Sequence, residues 1–182
     1  MTIQLDPKHS AEAASFDETA SGCVTSCGAI LFQHPLDDIL AIDQLKWLII
    51  QHTPTHFGFP KGRMEAEETE IQTARREVAE EVGLDFCPIS GFRVVDRYHI
   101  RPTLERCIVY FLASVDPGAH LHLQPDEIHA AHWLKTEAVI GCLTFSGDQA
   151  CFRAACQFLV DQKMVLPRGD SDEAPSTKCN GN

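Results

Sequence analysis

Residues Gly62 to Leu84 read GRMEAEETEIQTARREVAEEVGL, a glycine and a scatter of acids that then settle into a helical period. Thr69 can accept a hydrogen bond at a helix N-terminus, and Gln72 stands three residues on, the pairing of a capping box. Gly83 suits the left-handed residue that stops a helix. These two ends predict a helix from Glu70 to Val82. At ~100° per residue, Ile71, Ala74, Val78 and Val82 share one stripe, and Glu77, Glu80 and Glu81 fall on a neighbouring arc roughly 100° wide. One face is core and the adjoining face is acid.

Solvated helical faces usually mix lysine with glutamate four residues apart, yet EVAEEV contains no lysine. Acids gathered on one short helix repel one another unless a divalent ion shares their space. Hard ions that prefer oxygen ligands, magnesium or manganese, suit such a group. Arg76 borders the acidic arc beside Glu80, where its charge can orient a carboxylate and hold it ionised. Glu68 precedes the cap and can reach back toward the same place. Upstream, His56-Phe57-Gly58-Phe59-Pro60-Lys61-Gly62 leads into the helix through an expected glycine turn, which lets backbone groups approach metal and phosphate. Lys61 supplies a compact positive charge there and is the candidate phosphate ligand.

The 23 residues fill every fixed position of the Nudix box: glycine, five residues, glutamate, seven residues, Arg-Glu-aliphatic, one residue, two glutamates, one residue, glycine and an aliphatic. The resemblance implies the α/β Nudix fold, a mixed β-sheet sandwiched between helices. It also implies hydrolysis of a nucleoside diphosphate linked to another moiety, with Mg2+ or possible Mn2+ on Glu77, Glu80 and Glu81 and on the backbone of Gly62. Within that family the chain resembles the asymmetrical diadenosine tetraphosphate hydrolases of the animal type. The likeness spans roughly Ser26 to Leu159: CGAILF, FPKGR, Gly91-Phe92 followed by Tyr98, Glu127 six residues before Trp133, and Phe145. By this resemblance Tyr98 stacks on adenine with Phe145 on the other face, and Glu127 adds a metal or water contact. His56 joins Lys61 among the substrate-binding candidates, and Glu77, Glu80, Glu81, Arg76 and Glu127 are the catalytic ones. Relatives often carry tryptophan before the Pro-Lys-Gly turn, where this chain has Phe57 and Phe59. Two other outcomes stay open: removal of pyrophosphate from RNA 5′ ends, nucleoside triphosphates or inositol pyrophosphates, and a catalytically silent nucleotide sensor. A sensor would be expected to have lost a box glutamate or arginine, and none is missing.

Composition agrees with one enzyme domain. The 182 residues, 44% of them hydrophobic, suit one core. A net charge of −11, with only 15 lysines and arginines, argues against gripping a long nucleic acid and favours a small nucleotide neutralised by metal. No apolar run approaches the ~20 residues of a membrane span, and MTIQLDPKHS lacks signal-peptide blocks, so a cytoplasmic protein without membrane partners is expected. Oligomeric state is not legible, and a monomer is favoured. The eight cysteines show no zinc-ribbon spacing and are expected to be reduced, mostly buried thiols.

Along the chain, residues 1–20 are expected to be a flexible segment, 21–165 the Nudix domain, and 166–182 a disordered acidic tail. Strands are expected at Cys23 to Gln33, Leu45 to Gln51, Phe92 to Ile100 and Arg106 to Val115, with a short one at His132 to Leu134. An acidic loop with Pro35, Asp37 and Asp38 joins the first two. Helices are expected at Thr136 to Cys142 and Asp148 to Asp161.

Overall fold

The computed structural model describes residues 2–4, 22–34, 41–52 and 56–164. The acidic loop at 35–40, the expected tail and most of the expected N-terminal segment lie outside the described residues. Three residues of that segment, Thr2–Gln4, form strand β1. The remaining elements are β2 (Gly22–Gln33), β3 (Lys46–His52), β4 (His56–Gly58), β5 (Lys61–Arg63), α1 (Glu70–Val82), β6 (Val94–Arg101), β7 (Leu104–Ser114), β8 (Ile128–Lys135), α2 (Thr136–Cys142) and α3 (Ser146–Asp161).

The eight strands make one mixed sheet in the order β1-β6-β7-β2-β3-β4, with β5 also paired to β2 and β8 to β3. Strand β2 is the hub. It runs parallel to β7 from Gly22 to Phe32 and is buried without a break from Ser26 to Gln33, which explains why CGAILF reads as a continuous apolar run and not as an alternation. Side chains still alternate between faces. Ile30 and Phe32 join the core beneath α2 and α3, whereas Cys27, Ala29 and Leu31 join a second core beneath α1 with Val78 and Val82. The sheet is thus sandwiched between helices, as expected.

Trp47 anchors the first core. Its ring meets Phe152 edge-on at 4.9 Å and Phe32 at 5.3 Å, and its indole N–H donates to Thr136 Oγ1 at 2.9 Å. That bond satisfies the one polar atom of a fully buried side chain and pins the start of α2 to β3.

Helix α1 has the predicted bounds and both predicted caps. Thr69 Oγ1 accepts from the Gln72 N–H, Gln72 Oε1 accepts from the Thr69 N–H, and Gly83 closes the helix in the left-handed conformation at φ 72°. The backbone before it differs from expectation. Gly62 lies in a short strand, paired with Cys27 of β2, and not in a turn. Three-residue strands such as β4 and β5 have no periodicity to read; only their partners reveal them.

The candidate active site

Strand β5 and helix α1 face each other across the site. The Lys61 N–H donates to Glu81 Oε2 at 2.8 Å, joining the strand to the last turn of the helix. A β-carbon on Gly62 would stand 2.1 Å from the Glu77 carboxyl carbon, so glycine is the residue that lets this carboxylate close against the strand. A third element is drawn in through the open end of α1. The His122 and Gln124 N–H groups donate to the carbonyls of Val82 and Glu81 at 2.9 and 3.1 Å, and the turn that follows brings Glu127 to the rim.

The result is a cleft of about 390 Å³ lined by seven of the expected residues: Lys61, Gly62, Arg76, Glu77, Glu80, Glu81 and Glu127. The acids differ sharply in setting. Glu81 is 3% exposed and Glu77 12%, while Glu80 is 53% exposed. Arg76 spans the outer pair, donating through Nη1 to Glu77 Oε1 at 2.8 Å and Glu80 Oε2 at 3.1 Å. Its other nitrogens hold Glu68 in a two-point contact at 2.7 and 3.0 Å, and Nη2 also donates to the Arg63 carbonyl. Glu68 is therefore a buttress for Arg76 and does not line the cleft; its hydrogen bonds to Arg76 and Thr73 hold its carboxyl down at about 2.

Charge at the centre is poorly tolerated. Burial, reinforced by Glu77 and Glu127, pushes Glu81 up to about 8 despite the opposing pull of Lys61, and burial also raises Glu77. His52 Nδ1 lies 3.7 Å from Glu81 Oε1, but burial and the Lys61 charge depress this imidazole to about 3. It is neutral at physiological pH, and the contact is not an ion pair. Because Arg76 and the Lys61 N–H draw the acids to separate partners, their oxygens share the cleft without converging. Among the described residues, only Cys23, Glu105 and Cys107 place three such donor atoms within 4.8 Å of one another.

Tyr98, Phe145 and His56 stand beside the cleft and do not line it. His56 and Phe145 meet with ring centres 5.3 Å apart. Reciprocal bonds between Phe57 and Thr144 hold that pair in place, at 2.9 and 3.1 Å. Tyr98 is half-buried against the core under α3; burial raises its phenol, and Arg106 opposes the rise. Phe59 is fully buried in that core, and Phe57 is half-buried against it.

Sequence reasoning missed Arg106, His52, Arg63 and Gln124, all of which line the cleft. Arg106 is the informative one. It sits opposite Tyr98 on the neighbouring strand, and its Nε is a buried donor with no partner. Strand alternation places Arg106 on the face of Ile108 and Tyr110, but only the pairing of β5 and β7 with β2, which sets Lys61 and Tyr110 on either side of Gly28, brings this strand near Lys61.

The NUDIX domain model matches residues 28–155, and the chain belongs to the Nudix family of hydrolases. Among curated proteins it is 29% identical over 140 residues to the asymmetrical bis(5'-nucleosyl)-tetraphosphatase of Mus musculus, covering 74% of this chain and 94% of the relative. The protein of that name from Sus scrofa matches at the same identity and coverage. Among solved structures, a C. elegans Ap4A hydrolase binary complex superimposes with a TM-score of 0.65 at 20% identity, covering 76% of this chain and 98% of that one. The NUDIX domain of Shewanella oneidensis NrtR, complexed with ADP ribose, gives 0.59 at 16% identity, over 80% of this chain and 94% of that one. At these identities the structural likeness is one of fold.

Proposed function

We propose that this hydrolase cleaves a dinucleoside polyphosphate of the diadenosine tetraphosphate kind asymmetrically, to a nucleoside mono- and a triphosphate, with a divalent cation in the cleft. The observation that carries the reading is the meeting of four cations, Lys61, Arg63, Arg76 and Arg106, with four carboxylates within one cleft. Such a site suits a substrate that is itself a string of anions and that arrives with positive counter-charge. The names of the curated relatives support this substrate class.

The residues fit a hard cation. The anionic donors are all carboxylate oxygens, those of Glu77, Glu80, Glu81 and Glu127, and Gly62 lines the cleft beside them. A carboxylate that burial pushes up to about 8 is one that counter-charge would return to its ionised state. When bound, magnesium or manganese would supply charge neutralisation at the bridging phosphates and acidify a coordinated water.

The chain's own residues do the rest. Lys61 and Arg106, both lining the cleft, hold phosphate oxygens, lowering the charge that an incoming water must meet. Tyr98 and the Phe145–His56 pair offer aromatic surface for a nucleobase, worth ~1–3 kcal/mol per stacked base. Holding the base fixes which phosphorus faces the acids, and hence the asymmetry of cleavage. Arg76 is a positioning residue, holding the Glu77 and Glu80 carboxylates in place through Nη1. Glu127 stands exposed at the rim, away from the Arg76 network, and takes the proton of the attacking water at a carboxylate oxygen. Water adds to phosphorus, the anhydride oxygen leaves with the nucleoside triphosphate, and the monophosphate keeps the new oxygen.

The test is hydrolysis of a nucleotide panel, with dinucleoside tetraphosphate, ADP-ribose, nucleoside triphosphate and 5′-triphosphate RNA, in oxygen-18 water with and without magnesium. Mono- and triphosphate products with label in the monophosphate are expected. Preferred turnover of another member of the panel would reassign the substrate, and equal rates after chelation would remove the cation.

A further inference from the structure

We propose that Cys23 and Cys107 form an oxidisable pair that closes into a reversible disulfide between β2 and β7 when the protein meets a peroxide. The two strands run parallel, with Cys23 opposite Glu105 and Thr25 opposite Cys107. Cys23 and Cys107 are therefore diagonal neighbours on one face of the sheet, the face of α1 and opposite to that of Arg106. Their sulfurs stand 2.7 Å apart. Non-bonded carbon atoms rest at ~3.5–4.0 Å and sulfur is larger than carbon, so the two thiols are already pressed together.

The same atoms form a three-donor group with Glu105, which raises a metal site as the rival. Distance decides between them. Two sulfurs each ~2.3 Å from one tetrahedral ion stand ~3.7 Å apart. The observed separation is about an ångström shorter than that and moves toward the ~2.05 Å of a covalent S–S bond.

The roles follow from exposure. Cys23 is open to solvent, whereas Cys107 is 4% exposed. Cys23 thus meets the oxidant first. Its sulfur takes one oxygen from hydrogen peroxide, forming a sulfenic acid, and water leaves with the remaining oxygen. The Cys107 sulfur then attacks the Cys23 sulfur; the S–O bond breaks, the Cys107 proton passes to the departing hydroxyl, and a second water leaves. Two thiols lose two electrons in all, and the peroxide is reduced to two waters. Burial holds the Cys107 thiol up at about 12, so its proton needs help to go. Arg97 provides it, with Nη1 3.2 Å from the Cys107 sulfur and 3.3 Å from Glu105. The reacted pair ties together residues 84 apart in sequence, and Glu105 and Arg97 remain beside it as an ion pair.

The full-length protein, treated with hydrogen peroxide, alkylated and digested, is expected to lose two hydrogens of mass and to yield one peptide pair linked through Cys23 and Cys107. Dithiothreitol should restore both thiols. Cys23→Ser should lose the link while keeping basal hydrolysis, and Cys107→Ser should leave Cys23 at the sulfenic acid, captured by a dimedone-type nucleophile. The proposal is overturned if both thiols stay open to alkylation while exposed Cys87 oxidises. It is also overturned if stoichiometric zinc shields Cys23 and Cys107 from alkylation and Cys23→Ser abolishes that zinc binding.

Discussion

Replacing Glu81 by glutamine should stabilise the cation-free protein while removing its turnover. Burial lifts this carboxyl from 4.5 to about 8. An acid whose folded-state pKa lies above its unfolded value favours the fold only while it carries its proton. That contribution is whole below an unfolded value near 4.5 and is lost as pH rises through about 8. At 1.36 kcal/mol per unit, the shift costs the ionised form ~5 kcal/mol, of which ~4 kcal/mol develops between about pH 5 and pH 9. Glutamine keeps an oxygen for the Lys61 N–H and carries no charge, so it escapes this cost. Urea unfolding of wild type and Glu81→Gln in chelator, from about pH 5 to pH 9, measures the difference directly. The two stabilities should start close together and diverge by ~2–5 kcal/mol at the alkaline end, with the variant the more stable. Turnover of the variant should fall by orders of magnitude, the common cost of relieving a strained site. Parallel pH profiles for the two proteins would refute the reasoning, because the buried charge would then carry no folding penalty.

Three further outcomes are expected. Tyr98→Ala should forfeit a stacking surface of ~1–3 kcal/mol, raising KM about 5- to 150-fold with little change in kcat; unaltered affinity and rate would return Tyr98 to a purely structural role. Arg106→Gln should lose a charge-assisted phosphate contact of ~1.5–3 kcal/mol, seen as weaker inhibition by nucleoside triphosphate, while thermal stability stays near wild type; unchanged inhibition would place the phosphates elsewhere. Gly62→Ala forces a β-carbon to within 2.1 Å of the Glu77 carboxyl and should displace that acid, lowering kcat about a hundredfold or more. Wild-type turnover in that variant would show that Glu77 need not close against β5.

Helix α1 was legible because its determinants are local. Caps and period all lie within the residues from Thr69 to Gly83, and a helix satisfies its hydrogen bonds within itself. The long strands were legible for a related reason: β2 and β3 are apolar enough to announce burial. Even there the ends moved, with α3 beginning at Ser146 and β8 running from Ile128 to Lys135, well beyond the expected His132 to Leu134. Strand β8 holds only half-buried and exposed residues after Ile128, so its apolar signal is weak until β3 is placed beside it. The cysteines departed further from expectation. Of the seven described, Cys27, Cys107 and Cys151 are buried, Cys142 and Cys156 are half-buried, and Cys23 and Cys87 are exposed.

Sequence alone settled the family, the acidic helix and its caps, since these depend on residues close together along the chain. Tertiary structure decided which acids lose their water, which cation each one meets, and that Arg106 and Cys107, adjacent on β7, face opposite sides of the sheet toward different chemistry. Those properties arise from desolvation and strand register, quantities that exist only once distant segments have been brought together.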